Sequence, residues 1–182
     1  MPNDYLNITG YHGTLADRAD SIVTNGFNRS NKEIEWLGFG VYFFDSFFNA
    51  KAWALQEHNR QEGNASPPVV LTVDIRTLKP DFLDLDNKDT MRFFQEELKR
   101  GYQAMFGSKH GGAPNFKDNR ELRCFWCNFY TKIHPNIKVI AFTFPRIQYS
   151  EFGFPSVYKK RQLCVVDNAC IGMPPKQLEA VQ

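Results

Sequence analysis

Apolar and polar positions alternate loosely over residues 6–14, and the alternation ends at His12-Gly13-Thr14, which predicts a first strand. Ala16, Ala19, Ile22 and Val23 then recur at helical spacing, with Gly26 as the stop, so a short helix is expected over residues 15–25. Val41-Tyr42-Phe43-Phe44 is an unbroken apolar run, read as a buried strand entered from a glycine-bracketed loop. Ser46 is a good N-cap, and Phe47, Phe48, Ala50, Ala52, Trp53, Ala54 and Leu55 predict a helix directly after that strand. A loop, strand and helix joined so tightly make one wall of a cleft.

Further along, residues 61–68 are a polar linker and residues 69–75 a strand rich in β-branched side chains. Leu83-Asp84-Leu85-Asp86 lacks the ligand spacing and glycine of a calcium loop and is assigned to a turn. Met91, Phe94, Leu98, Tyr102 and Met105 form one face of an amphipathic helix from Thr90, which residues 107–114 end. Asp118-Asn119-Arg120-Glu121 reads as a capping box, followed by Leu122, Phe125, Trp126, Phe129 and Ile133 as the apolar face of a second helix. Residues 136–145 are a buried strand, residues 146–160 a loop with glycine- or proline-containing aromatic pieces, residues 161–167 the last strand, and residues 172–182 a frayed tail.

This succession of elements shows no internal repeat, and the 182 residues, 42% of them hydrophobic, suffice for one domain over residues 1–182. No apolar run approaches the roughly 18 residues of a membrane span, and the N-terminus lacks the features of a signal peptide, so no membrane partner and a cytoplasmic location are expected. In that compartment the four cysteines are read as reduced thiols. Cys124 and Cys127 invite a zinc reading, but no second closely spaced pair completes such a site. The net charge of +2 hides an asymmetry: residues 1–98 carry 9 Lys and Arg against 15 Asp and Glu, and residues 99–182 carry 13 against 5. A basic face for an anionic macromolecule such as RNA or DNA would account for this, as would ordinary solvated charge.

Tyr42, near the strand end, and Trp53, on the following helix, are placed to offer two aromatic faces to a flat ring, or to serve as core aromatics. Gly38-Phe39-Gly40-Val41-Tyr42-Phe43 and, upstream, Tyr11-His12-Gly13-Thr14 resemble the second and first signatures of the diphtheria-toxin-like, poly(ADP-ribose) polymerase-type ADP-ribosyltransferases. The resemblance runs from about Tyr11 to Ile171. It implies an α+β fold in which two packed mixed or antiparallel sheets frame a split NAD-binding cleft, with flanking and inserted helices. It further implies that Tyr42 and Trp53 clamp nicotinamide, that His12 bonds a ribose hydroxyl, and that Gly13 presents its backbone to the nicotinamide amide with support from Thr14. Gly40 belongs to the loop entering the second signature, and Arg29 or Lys32, in the polar segment before it, would meet the pyrophosphate.

The third signature of that family is a strand opening with glutamate, and here Gln162-Leu163-Cys164-Val165-Val166-Asp167 occupies its place. An amide can orient a ribose but cannot act as a general base, so single-unit transfer is expected and chain elongation is not. Glu151, just before this strand, is the carboxylate nearest in sequence to substitute as base, or is simply exposed. The implied chemistry needs little covalent help: breaking the N-glycosidic bond of NAD develops oxocarbenium character, and positioning supplies most of the rate. The reading is therefore a mono-ADP-ribosyltransferase with NAD as co-substrate and a macromolecular acceptor, nucleic acid ahead of protein. A toxin or phage-defence role with an antitoxin or inhibitory partner goes with it. The alternatives are a catalytically silent NAD- or ADP-ribose-binding module and, behind it, an NAD-dependent RNA 2′-phosphotransferase.

Overall fold

The computed structural model describes residues 4–61, 66–107, 115–149, 151–153 and 155–178. These residues form seven strands, β1 (Tyr5–Leu15), β2 (Val41–Phe44), β3 (Pro68–Leu78), β4 (Phe82–Asp84), β5 (Val139–Tyr149), β6 (Pro155–Val165) and β7 (Lys176–Leu178). Four α-helices accompany them, α1 (Ala16–Asn25), α2 (Phe47–Asn59), α3 (Lys88–Phe106) and α4 (Asn119–Ile133). The class is α+β. The strands make one mixed sheet in the order β4-β5-β6-β2-β1-β3-β7, in which only β4 and β5 run parallel. The expectation of two separate sheets is corrected accordingly, because β1 and β2 still meet, though at the single register pair Tyr11↔Phe44. Two halves of one sheet thus share a narrow seam.

Alternation along the strands sorts side chains onto the two faces. On one face Val41, Phe43, Leu71, Val73, Ile75, Val139, Ala141, Leu163 and Val165 form one apolar cluster with Ala19 of α1 and Phe27. On the other, α2 covers β1 and β3 through Ala50, Phe44 and Val70, while Phe94 of α3 and Cys127 and Tyr130 of α4 pack with Ile140 and Cys164. The close approach of α2 dictates one glycine: a Cβ on Gly13 would lie 2.0 Å from the Ala50 carbonyl oxygen.

Several boundaries differ from the sequence reading, each for a local reason. Leu83 and Asp84 belong to β4, while Leu85 and Asp86 form the expected turn, with Leu83 and Leu85 buried and Asp84 and Asp86 both bonded to Arg161. Helix α3 begins at Lys88, because the Asn87 side chain accepts from the amides of Asp89 and Thr90. Ser46 stands at the N-cap of α2 without a side-chain bond. In α4, Asp118 caps the amides of Arg120 and Glu121, while Glu121 reaches the amide of Lys117. The sheet-facing positions of α4 are Cys124, Cys127 and Tyr130. Its aromatic face turns to α3, where Tyr102 meets Trp126 and Phe129 sits where a Cβ on Gly101 would be. Residues 146–149 and 155–160 extend β5 and β6 into an eleven-pair hairpin, from Val139↔Val165 to Tyr149↔Pro155. Within the predicted tail, Lys176–Leu178 form β7 against β3, and residues 179–182 lie outside the described set, as do residues 108–114 after α3. No helix among the described residues is long and apolar enough to cross a membrane.

Candidate functional site

Beyond Tyr11↔Phe44, β1 and β2 part, and the gap is the mouth of a cleft. One residue further along β1, the His12 imidazole replaces the interrupted backbone ladder: Nδ1 donates to the Tyr42 carbonyl at 2.8 Å. The ring is held edge-on between Phe27 and Phe43, with centroids 5.3 and 5.8 Å away. Since a carbonyl only accepts, the proton resides on Nδ1. Burial lowers the His12 pKa, against the opposing effect of the bond to Tyr42, so the neutral ring presents Nε2 as an acceptor.

Tyr42 anchors the loop leading into β2. Its hydroxyl donates to the Gly38 carbonyl at 2.6 Å and accepts from the Leu37 amide at 2.7 Å. Burial pushes its pKa far up, keeping the hydroxyl protonated. Asn128 Oδ1 accepts from the Phe39 amide at 2.7 Å, and Arg123 Nε donates to the Trp36 carbonyl at 2.8 Å, so α4 holds the same loop from outside. Gly38 has φ +88°, a conformation that favours glycine, and a Cβ on Gly40 would lie 2.5 Å from Cys164 Sγ.

The cleft encloses about 680 Å³, and His12, Gly13, Thr14, Gly40, Tyr42, Trp53 and Gln162 all line it. Seven candidates from three separate sequence segments thus meet in one cavity. Trp53 leans on Phe44 with ring centroids 6.5 Å apart, and Thr14 is buried. Gln162, on β6 opposite Phe44, is only 9% exposed, and its Oε1 has no hydrogen-bond partner among the described residues. A buried, unpaired amide oxygen costs about 1–3 kcal/mol and is able to accept from a donor.

Two candidates lie elsewhere. Arg29 donates to the Phe39 carbonyl and lines a second cavity with Asn128, Lys138 and Asp167, on the outer side of the Gly38 loop, so it does not face the cleft. Glu151 occupies the exposed turn joining β5 to β6, and seven residue steps of strand lead from Pro155 to Gln162, roughly 20 Å of extended chain. The substitute-base assignment is therefore corrected: the hairpin carries Glu151 away from Gln162.

The cations that do line the cleft are Arg18, Lys32, Arg60 and Arg120, against two carboxylates, Glu35 and Glu57. Of these, only Lys32 was expected from the sequence to meet a ligand, and Arg120 was read as part of a capping box. Arg18 of α1 and Arg60, just after α2, both reach Glu57, at 3.6 and 3.1 Å, which draws two guanidinium groups to one side of the mouth. The one-turn spacing of Glu57 and Arg60 announces a helix surface, but nothing local in sequence says that Arg18 will join them. Trp36 was also missed. It lines the rim, with the Arg120 and Arg123 guanidinium carbons 5.8 and 5.4 Å from its ring centroid.

The cysteines behind this wall are free thiols. Burial pushes the Cys164 pKa up to about 12 and that of Cys127 higher still, so neither offers a thiolate near neutral pH. Comparison with family models, with curated protein sequences and with solved structures finds no match to this chain.

Proposed function

We propose that the cleft binds NAD and that the protein transfers a single ADP-ribose unit from it to a macromolecular acceptor, within an ADP-ribosyltransferase-type fold. The observation that carries this reading is the unpaired, buried Gln162 Oε1 in a cavity shared with His12, Tyr42 and Trp53. The residues fit the dinucleotide's chemistry. Gln162 Oε1 and His12 Nε2 are acceptors for ribose hydroxyls, and the Tyr42 and Trp53 rings are apolar surfaces for a planar base. Arg18, Lys32, Arg60 and Arg120 supply the charge a diphosphate requires. A cavity of about 680 Å³ lies within the range of cofactor sites.

Bound NAD supplies an activated glycosidic bond whose electron pair departs with neutral nicotinamide. The protein's part is to hold the ribose, exclude water and admit the acceptor. Gln162 takes up no proton, so the acceptor must bring its own nucleophilicity, which favours one unit per site. The test is incubation with NAD labelled in its ADP-ribose portion, with free nicotinamide and labelled macromolecules measured together. Nicotinamide release and transfer by the native protein, about 10²-fold lower in Gln162→Ala, is the expected result. No NAD binding and no release would overturn it. The uncharged Gln162 also favours a second reading, a silent NAD- or ADP-ribose-binding module. Tight NAD binding without nicotinamide release would select it.

A further inference from the structure

The β5–β6 hairpin leaves the body of the protein at the cleft. Its base is clamped by Gln162↔Phe142 on β6 and β5, and beyond Phe44 and Asp84 neither strand has another neighbour among the described residues. An isolated two-stranded ribbon is marginal in water, so one that projects this far is suited to contact another molecule. Ile147, Tyr149, Val157 and Tyr158 are each more than half exposed.

The two faces of the ribbon differ in chemistry. Directly opposed residues of an antiparallel pair share a face, and faces alternate along the strand. The face that bears Gln162 continues outward with the pairs Phe144↔Lys160 and Arg146↔Tyr158. Each pair sets one aromatic ring against one cation, and successive pairs are about 6.7 Å apart along the strand. At the inner end the Phe144 ring meets Trp36 on the cleft rim, with centroids 4.8 Å apart, and the Arg123 guanidinium lies 4.9 Å from the Phe144 centroid. No hairpin carboxylate stands on this face among the described residues. The opposite face carries Thr143 and Arg161 at its base, both bonded to Asp86, then Pro145↔Lys159, and the apolar pair Ile147↔Val157 further out.

From this arrangement we infer that the cleft-side face of the hairpin is a track for single-stranded nucleic acid, delivering it to the rim of the cleft. Interleaved rings and cations along one line are what an unpaired strand recognises: bases stack on the aromatic faces, and phosphates, spaced comparably in an extended strand, meet Arg146, Lys160 and Arg123. A duplex keeps its bases stacked on one another and cannot use the rings. On the other face the inner cation, Arg161, is paired with Asp84 and Asp86, and Lys159 stands opposite Pro145 and not a ring, so the alternation of rings and cations sets the side on which the strand lies. The inference names the acceptor class for the proposed transferase and rests on that reading for its purpose, though not for the binding itself.

The test is fluorescence anisotropy of the full chain with end-labelled mixed-sequence single strands of RNA and of DNA, and with the matching duplex, across a salt series. Alongside each variant, NAD binding is measured by calorimetry. The native protein should bind single strands more tightly than duplex. Arg146→Glu with Lys160→Glu should weaken single-strand binding at least tenfold, and Tyr158→Ala three- to tenfold. The charge-reversed pair should also flatten the salt slope by about 1.4, the share of two phosphates. Arg92→Glu with Lys99→Glu, the same charge change on α3, should stay within twofold of native. NAD binding should be unaltered in all of these, so loss of oligonucleotide with NAD retained supports the track. Failure of native protein to bind NAD defeats the transferase reading and leaves the oligonucleotide result to be judged alone. Equal binding by native and hairpin variants, equal loss in the α3 pair, or hairpin-dependent capture of proteins with no oligonucleotide binding would overturn the inference.

Discussion

His12 Nδ1 bonds the Tyr42 carbonyl at 2.8 Å where β1 and β2 cease to pair. An imidazole in place of a backbone amide spans the widening gap between strands. The cleft is thus held open by the same side chain that offers it an acceptor, and the strands need not re-pair across it.

That bond has a pH signature. Burial lowers the His12 pKa below its ordinary 6.5. Between the lowered value and 6.5 the unfolded chain binds a proton that the native state refuses, so His12 subtracts stability as pH falls through 6.5, at most about 1.4 kcal/mol per pH unit. His12→Asn retains a donor for the Tyr42 carbonyl but cannot titrate. The stability advantage of native protein over this variant should therefore be smaller at pH 5.5 than at pH 7.5 by urea unfolding. Parallel stability profiles would show that His12 charges freely in the folded state.

Gln162 separates stability from function. Its Oε1 is buried and unpaired, so Gln162→Met, of similar volume and without the amide, should raise stability by about 1 kcal/mol. The same change removes the acceptor offered to a ribose hydroxyl, and NAD affinity should fall about tenfold. Calorimetric melting and NAD titration read the two effects. A less stable variant with native NAD affinity would mean that the amide is satisfied within the fold.

Gly13 reports the seating of α2. A Cβ there would strike the Ala50 carbonyl, a backbone atom that moves only if the helix does. Gly13→Ala should cost about 2–3 kcal/mol, and by shifting α2 it should also displace Trp53 and weaken NAD binding. Denaturant unfolding together with Trp fluorescence quenching by NAD checks both. A variant of native stability would contradict the close helix approach.

Much of this was legible where a residue's local pattern and its tertiary role coincide. The alternation before His12, the apolar run at Val41–Phe44 and the helix stop at Gly26, with φ +82°, reappear as β1, β2 and the end of α1. Seven of the proposed site residues share the cleft because the two glycine-containing motifs and Gln162 lie on strands adjacent through β2. The rest was hidden for physical reasons. The outer hairpin is exposed on both faces, so no burial alternation marks it as strand, and Pro145, Gly153 and Pro155 imitate a loop. Strand β4 has three residues, too few for a period. The buried stripe of α4 is two small thiols and Tyr130, while Trp126 and Phe129, which dominate the pattern, face α3 instead. Arg29 was placed by analogy of segment, whereas the turn at Gly38 sends it behind the loop.

Tyr42 has two separable roles, and Tyr42→Phe divides them. The hydroxyl bonds the Leu37 amide and the Gly38 carbonyl, and Leu37 is fully buried, so its amide has no access to water once the hydroxyl is gone. Leaving those groups unpaired should cost about 1–3 kcal/mol, more than the roughly 1 kcal/mol net worth of an ordinary hydrogen bond. The phenyl ring retains its apolar face toward the cleft. If that face is what a planar base meets, Tyr42→Phe should bind NAD within about threefold of native at a temperature where it is folded, while Tyr42→Ala should lose about 1–3 kcal/mol of binding. Hydrogen exchange at the Leu37 amide should accelerate in Tyr42→Phe, because its acceptor is deleted and the loop is freed on that side. Native exchange there would remove the hydroxyl from the anchoring role. Equal NAD affinities in Tyr42→Ala and Tyr42→Phe would remove the ring from the site.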